Sequence, residues 1–168
     1  MKLTNIFVDC EWFLDQNLFL VGYAYSLKEY GQLYEKTLTV DHLEKILKPV
    51  DGYMFFYGPD VKMLEKFFNV NIRSHGRCVN LLRLFKVAMP NLSSYKLSSL
   101  EEKFGITRDT GEYKSNIFKL WHDWRNPYTK PLIMQYNMED VLNLLRVKKI
   151  IFNKHSITNR DLDKHLLT

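Results

Sequence analysis

Apolar runs in the N-terminal part of the chain predict three strands. The runs "NIFVDCEW", "LFLVGYAYSL" and "QLYEKTLTV" are rich in aliphatic, aromatic and β-branched residues, which favour extended structure. Between the second and third runs, "KEYG" contains Gly31 and predicts a turn. Strands joined by such short connections pair in antiparallel order, so the pattern indicates a β-meander.

A short helix and a buried strand are predicted after the meander. In "DHLEKILKP", Asp41 and Glu44 have the spacing of an acidic capping box, and Pro49 ends the helix. The following run "GYMFFYG" is continuously apolar between two glycines, as is typical of a strand buried on both faces. Because a helix leads into it, we expect this fourth strand to lie parallel to the first.

The remaining pattern is mainly helical. A long helix is predicted from about Tyr128 to Ile151, with an apolar stripe of Met134, Met138, Val141 and Leu145. A meander, a crossover and then helices together indicate an α/β fold with a mixed central sheet flanked by helices. Four further helices are predicted over "PDVKMLEKFF", "NLLRLFKVAM", "KLSSLEEKFG" and "GEYKSNIFKLWHDWRN".

Composition narrows the class of protein. A length of 168 residues suits one domain, which we expect over residues 1–152, with residues 153–168 as a tail that carries a short helix. The 46% hydrophobic content argues against disorder. No apolar run is long enough to cross a bilayer, and the N-terminus lacks the layout of a signal peptide. We therefore expect a soluble cytoplasmic protein without a membrane partner.

Charge and cysteine content add little by themselves. The net charge of +5 is compatible with a polyanionic partner. Cys10 and Cys78 are too few for a disulfide framework or a four-ligand zinc site, so both are interpreted as buried thiols. A basic cluster either contacts phosphates or forms a solvated surface; it consists of Arg73, His75, Arg77, Arg83 and Lys86.

Two carboxylates at the end of the first strand suggest chemistry. Side chains alternate between the faces of a strand, so Asp9 and Glu11 share one face and Cys10 points to the other. Like charges held this close are costly unless a cation lies between them or one is protonated. The alternative is a strand that runs out into solvent with both acids hydrated.

Three further polar residues lie where they could join this pair. Asp60 follows the predicted fourth strand, and the carboxyl ends of neighbouring parallel strands converge. Tyr136 and Asp140 are four residues apart and share a face of the last long helix. Each has an ordinary explanation. An acid such as Asp60 also suits the start of a helix, and tyrosine and aspartate are both common on helix surfaces.

Four stretches, in their order along the chain, carry a family resemblance. The chain resembles the DEDDy branch of the DnaQ-like 3′-5′ exonucleases, in the ribonuclease-H-like superfamily, and most closely the YprB-like group. The resemblance implies a ribonuclease-H-like fold and a nucleic-acid substrate with a 3′ end, single-stranded DNA or RNA. A protein partner for targeting is a separate expectation. The stretches are "FVDCEW", "YGPDVKML", "SSYKLSSLEEKFGI" and "YNMEDVLNLL".

The resemblance also implies roles for the five polar residues. Asp9, Glu11, Asp60 and Asp140 would bind two divalent ions, Mg²⁺ or Mn²⁺, and the hydroxyl of Tyr136 would orient the attacking water. Hydrolysis of a phosphodiester by two such ions requires only oxygen ligands, which agrees with a chain whose histidines show no zinc spacing.

The chain departs from its relatives beside the first two acids. Trp12 and Phe13 replace the threonines that usually follow, and they are candidate substrate-binding residues because aromatic side chains stack on bases. Burial beneath helices is the other explanation for both. Two functions remain as alternatives to an exonuclease: a non-catalytic module that binds nucleic acid or protein, and a structure-selective endonuclease on the same fold.

Overall fold

A five-stranded sheet forms the centre of the described part of the protein. The computed structural model describes residues 3–14, 17–113 and 116–167. The strands lie in the order β3-β2-β1-β4-β5. Their bounds are β1 Ile6–Phe13, β2 Asn17–Ser26, β3 Glu29–Tyr34, β4 Tyr53–Phe56 and β5 Arg77–Asn80.

Helices cover both faces of this sheet. Helices α1 and α2 pack on one face, and α3, α4, α6 and α7 pack on the other. None of the helices within the described ranges combines the length and the apolar composition needed to span a bilayer. The helices are α1 Val40–Leu47, α2 Asp60–Phe68, α3 Leu81–Ala88, α4 Leu97–Lys103, α5 Ile117–Trp124, α6 Lys130–His155 and α7 Asn159–Asp163.

The sheet is mixed, which confirms the predicted fold class. Strand β1 pairs antiparallel with β2, and β2 pairs antiparallel with β3, so the meander forms as predicted. Strand β4 pairs parallel with β1, with Ile6 opposite Met54, and β5 pairs parallel with β4. The buried aromatic run therefore lies beside β1, and the carboxyl ends of the two strands point to the same edge.

The boundaries of the third strand differ from the prediction. Strand β3 already begins at Glu29, so most of the predicted turn "KEYG" belongs to the strand, and a short 3-10 helix follows at Glu35–Thr37. Gly31 pairs with Tyr23 across the two strands, and a Cβ atom added to Gly31 would lie 2.5 Å from the hydroxyl oxygen of Tyr23. The glycine serves cross-strand packing rather than a turn.

The structure differs from the prediction at three other elements. Helix α1 is capped by Thr39, whose hydroxyl accepts a hydrogen bond from the His42 N–H, and not by the predicted Asp41 box. Strand β5, with only four residues, is too short to give a clear pattern and is missed. Helix α5 occupies only part of the predicted helix over residues 111–126, of which residues 114–115 lie outside the described residues.

The buried face of α6 only partly coincides with its predicted apolar stripe, although Met134 and Leu145 pack against the core. Of the predicted stripe only Val141 is buried; Met134, Met138 and Leu145 remain partly exposed. The buried face includes three polar residues, and for that reason apolar spacing does not reveal it. Its residues are Ile133, Asn137, Asp140, Val141, Asn143, Leu144, Val147 and Ile151.

A glycine allows α6 to approach the sheet closely. Gly22 on β2 lies opposite Asp9 of β1. A Cβ atom at Gly22 would lie 2.3 Å from Oδ1 of Asn137 and 2.7 Å from Cγ2 of Val141. A larger side chain would therefore displace the helix or these side chains. The absence of a side chain at Gly22 brings the polar residues of α6 within reach of the acids on β1.

Candidate active site

The alternation of β1 places Asp9 and Glu11 on the α6 side of the sheet. Val8 and Cys10 pack into the core beneath α1 and α2. Asp9 and Glu11 alternate with these two residues and face the opposite way, as the predicted shared face requires. Both thiols, Cys10 and Cys78, are free and buried, as predicted.

A third carboxylate, from Asp140 on α6, joins this pair. One carboxylate oxygen from each of Asp9, Glu11 and Asp140 lies within 4.8 Å of the others. Asp140 is only 8% exposed, so water screens this concentration of negative charge poorly. A site made only of carboxylate oxygens fits a hard divalent cation such as Mg²⁺ or Mn²⁺.

Asp60 lies close to these three residues but outside their group. It is buried in the first turn of α2, and the backbone N–H of Tyr57 donates a hydrogen bond of 3.2 Å to its Oδ2. The side-chain amide of Asn80 holds the preceding Gly58 at both its N–H and its carbonyl, at 3.2 and 2.8 Å. The end of β5 thereby fixes the loop that positions Asp60.

Asn137 orients the first acid, a role the sequence analysis missed. Its side chain is fully buried, and its Nδ2 donates a hydrogen bond of 2.9 Å to Oδ2 of Asp9. Its Oδ1 accepts a hydrogen bond of 3.0 Å from Nε2 of Gln32 on β3. This chain of bonds fixes which atom of Asn137 faces Asp9. The only sequence signal is its position directly after Tyr136.

Arg108 holds the acid on α6, and it too was missed. Its guanidinium, with a side chain only 3% exposed, donates hydrogen bonds to both Glu101 and Asp140. Glu101 is fully buried and also accepts a hydrogen bond of 2.9 Å from Nδ2 of Asn143. Glu101 lies in the stretch "SSYKLSSLEEKFGI", whose structural role is thus to support Arg108. No sequence pattern identifies Arg108 itself.

Tyr136 and Trp12 line a cavity of about 280 Å³ beside the acids, together with Cys10, Glu11 and Tyr113. The ring of Tyr136 packs edge-on against Tyr113 with 5.7 Å between centroids. Phe13 lies elsewhere: its ring stacks on Trp121 at 5.2 Å and is not among the residues that line this cavity. The structure therefore places Trp12 in the cavity with Glu11 and Tyr136, whereas the ring of Phe13 packs on Trp121.

Burial and mutual repulsion make the acids weak. Burial first, and then the neighbouring carboxylates, raise the pKa values of Asp9 and Glu11 well above their usual range. Burial raises the pKa of Asp60 to about 8. Burial also raises the pKa of Asp140, but Arg108 opposes the shift and holds the value at about 6. Without a cation, this site retains protons near neutral pH.

Tyr136 is held in its neutral form. Burial and the charges of Asp140, Glu11 and Asp9 raise the pKa of its hydroxyl far above the usual range. Ionising the phenol would add a further negative charge to a site already rich in carboxylates. The hydroxyl is therefore a hydrogen-bonding group and not a strong base at neutral pH.

The raised pKa values predict how pH and metal affect stability. The folded state keeps protons up to about pH 8 at Asp60 that the unfolded chain releases near its ordinary pKa of about 4. The unfolding free energy of the metal-free protein therefore falls as the pH rises through this window. We expect Mg²⁺ or Mn²⁺ to raise the melting temperature, and more at about pH 8 than at about pH 5.5, because a cation competes with protons.

Thermal unfolding in a chelator and in excess Mg²⁺, at both pH values, measures this effect. The Asp9→Asn variant is the matched control, since it removes one acid of the cluster and leaves the surface titrating groups intact. A metal-induced shift of the same size at both pH values would contradict the assignment of these residues as metal ligands.

Comparisons with known proteins agree with this fold. Similar solved structures include Brucella melitensis NrnC, with a TM-score of 0.69 at 15% identity over 98% of this chain and 81% of that one. A nuclease in its apo form gives a TM-score of 0.68 at 14% identity, over 96% and 77% of the two chains. Escherichia coli RNase D, an exoribonuclease involved in structured RNA processing, gives 0.67 at 17% identity, over 96% and 43%.

Sequence comparison identifies the family. No sequence among curated proteins matches the chain. The profile of the RNase H superfamily, however, matches residues 6–152, a range that runs from the first residue of β1 into the last turn of α6. That range contains all four acids and Tyr136. The chain therefore belongs to the RNase H superfamily, as the resemblance of its motifs predicts.

Proposed function

We propose that this protein is a metal-dependent 3′-5′ exonuclease that hydrolyses phosphodiester bonds of nucleic acid, with the activity carried by residues 1–152. The observation behind the proposal is the convergence of Asp9, Glu11 and Asp140, with Tyr136 one helical turn before Asp140. A binding module has no need for three repelling carboxylates in a largely buried site, because their assembly costs stability unless a cation is bound.

Two structural neighbours support the chemistry. NrnC has been solved with bound Mg²⁺ and with pGG, an oligonucleotide. RNase D is described as an exoribonuclease. These proteins share the fold with this chain at low identity, so they support divalent-ion dependence and a nucleic-acid substrate for it by analogy.

We assign the metal ligands as Asp9, Glu11 and Asp140, with Asp60 contributing from α2 to a second ion or to its waters. Two ions, Mg²⁺ or Mn²⁺, would supply charge neutralisation of the phosphoryl group, a more acidic water and stabilisation of the leaving oxygen. Asn137 and Arg108 hold Asp9 and Asp140 in fixed orientations. Such supporting hydrogen bonds preorganise the ligands before substrate arrives.

Tyr136 orients the attacking water and does not abstract a proton from it. Its neutral hydroxyl can both donate and accept a hydrogen bond, which suits a group that holds a water in line with the phosphorus atom. Trp12, in the same cavity, offers an aromatic face for the terminal base.

We expect Tyr136→Phe to lower kcat by about 10²-fold, because the water loses its orienting partner while the carboxylates remain. The metal-induced rise in melting temperature should match that of the unaltered protein. Tyr30→Phe, at a half-exposed tyrosine on β3, is the matched control and should leave kcat unchanged. An unaltered kcat in Tyr136→Phe would argue against the orienting role.

The activity itself is tested with 5′-labelled single-stranded DNA and RNA, in Mg²⁺, in Mn²⁺ and in chelator. A ladder that shortens by one nucleotide at a time, and that a 3′-phosphate slows, supports the exonuclease. Internal cuts would favour a structure-selective endonuclease instead. Absence of metal-dependent cleavage on every substrate would contradict both enzyme assignments and favour the binding module.

A further inference from the structure

A second, larger cavity borders the site on the β5 side. It has a volume of about 550 Å³ and lies between α2, α3 and the C-terminal segment. Gly58 and Pro59, which line it, directly precede Asp60. Consecutive Cα atoms are about 3.8 Å apart, so the wall of the cavity begins within about 8 Å of the Asp60 Cα atom. The cavity is thus adjacent to Asp60, the fourth acid of the proposed site.

The lining of this cavity is basic. Lys62 projects from α2, and Arg83 and Lys86 project from α3. These three side chains are exposed and form no ion pair with any carboxylate that the structure describes. Arg73 also lines the cavity and pairs with Glu65 at 3.3 Å. No acidic residue lines the cavity among the described residues.

The arrangement of the cations favours an anionic ligand. Arg83 and Lys86 are three residues apart on α3, so like charges are neighbours on one helix face and repel each other. A concave surface lined by charges of one sign concentrates its electrostatic potential within the cavity and attracts ligands of the opposite charge. The basic cluster expected from the sequence divides here. Arg73, Arg83 and Lys86 line the cavity, and Lys86 also lies over the ring of Tyr95 at 5.8 Å. Arg77 lies over the ring of Tyr53, and His75 lines a different cavity beside α1.

The C-terminal segment completes the wall. Leu166 forms an isolated antiparallel bridge with Val79, and the Leu167 N–H donates a hydrogen bond of 2.8 Å to the carbonyl of Cys78. Both leucines line the cavity. The segment therefore follows the exposed edge of β5 and turns a basic surface into a groove with an apolar side.

We propose that this basic cavity binds backbone phosphates of the strand on the 5′ side of the nucleotide being removed. The inference rests on the proposed exonuclease function, which places the 3′ end at the acids, so that the rest of the strand continues on the 5′ side. The smaller cavity beside Trp12 and Tyr136 suits the terminal nucleoside. The larger basic cavity suits the phosphates that follow it, because lysine and arginine bind phosphates without reading sequence.

The test compares two double variants that each remove two positive charges. Arg83→Gln/Lys86→Gln alters the cavity. Lys149→Gln/Lys154→Gln is the control: both lysines are exposed on the C-terminal half of α6, and Lys154 is about 21 Å along the helix from Asp140. Substrates are a single-stranded 12-mer and a dinucleotide without a 5′-phosphate, whose one phosphodiester is the scissile bond.

We expect the ratio of KM for the dinucleotide to KM for the 12-mer to fall by about 10-fold in the cavity variant. The same ratio should stay unchanged in the control variant. Binding of a fluorescent 12-mer is measured by anisotropy in the non-cleaving Asp9→Asn background. In the cavity variant, the slope of log K against log salt should be shallower by about 1.4, which corresponds to the loss of two phosphate contacts on a single strand.

The outcomes separate the two proposals. Equal KM ratios and equal salt slopes in both double variants would overturn the phosphate site, even if the protein is an exonuclease. Salt-sensitive binding that depends on Arg83 and Lys86, in a protein that cleaves nothing, would support the site and overturn the exonuclease. Absence of any binding of the 12-mer would overturn the site as well. Melting temperatures of both variants, which alter exposed residues, check that folding is intact.

Discussion

Replacing Asp9 with asparagine should abolish metal-dependent cleavage and, at the same time, raise the melting temperature of the metal-free protein. Asparagine keeps an oxygen that can accept the hydrogen bond from Asn137, so the local geometry survives. It removes the central charge of the ligand set, and we expect a loss of about 10³-fold or more in kcat/KM. The stability rises because the substitution removes the cost of burying the Asp9 carboxylate and, in addition, its repulsion with Asp140, Glu11 and Asp60.

Opposite signs for activity and stability make this test specific. A substitution that simply damaged the fold would lower both quantities. Asp41→Asn, at an exposed aspartate in the first turn of α1, is the matched control and should change neither activity nor melting temperature substantially. Retention of full activity by Asp9→Asn would show that the site is assigned to the wrong residues.

Replacing Arg108 with methionine should cost about 3–5 kcal/mol in the free energy of unfolding. Methionine fills much of the same space, but Glu101 and Asp140 then lose their shared cation. Glu101 is fully buried, and a buried carboxylate without a cation is strongly unfavourable. Urea unfolding of the metal-free protein measures the loss, and Mg²⁺ should restore part of it by binding Asp140.

A second substitution distinguishes the lost charge from lost packing. Adding Glu101→Gln to Arg108→Met removes one of the two carboxylates that Arg108 neutralises and should recover a substantial part of the stability. Arg160→Met, at an exposed arginine of α7, should stay within about 0.5 kcal/mol of the unaltered protein. A loss below about 1 kcal/mol for Arg108→Met would mean that the buried ion pair contributes little.

Both predictions reflect one property of the site: its acids are supported by protein groups as well as by the proposed ions. Asn137 approaches Asp9 from α6, and Arg108 approaches Asp140 from the segment after α4. Each support keeps one ligand in place, which reduces the reorganisation needed when ions and substrate bind. Arg108 also partly neutralises the cluster of acids and so reduces the electrostatic repulsion among them before any ion is present.

Local pattern predicted most of the architecture because the strands of the meander and the buried β4 follow simple periodicity. The local pattern gave wrong predictions where a residue makes a contact with another strand or helix. Gly31 is typical of a turn, yet it accommodates the ring of Tyr23 from the neighbouring strand. The apolar stripe of α6 marks only part of its buried face, because Asn137, Asp140 and Asn143 occupy buried positions where they form hydrogen bonds.

The sequence by itself determined the face shared by Asp9 and Glu11, the parallel β4 that brings Asp60 to the same edge, and the helix face shared by Tyr136 and Asp140. These follow from strand and helix periods, which are properties of neighbouring residues. Only the tertiary structure decided which groups support the acids and where the basic cavity lies. Asn137 and Asp9 are 128 residues apart, and Arg108 and Asp140 are 32 apart, so their contacts depend on how α6 packs on the sheet and leave no periodic signal.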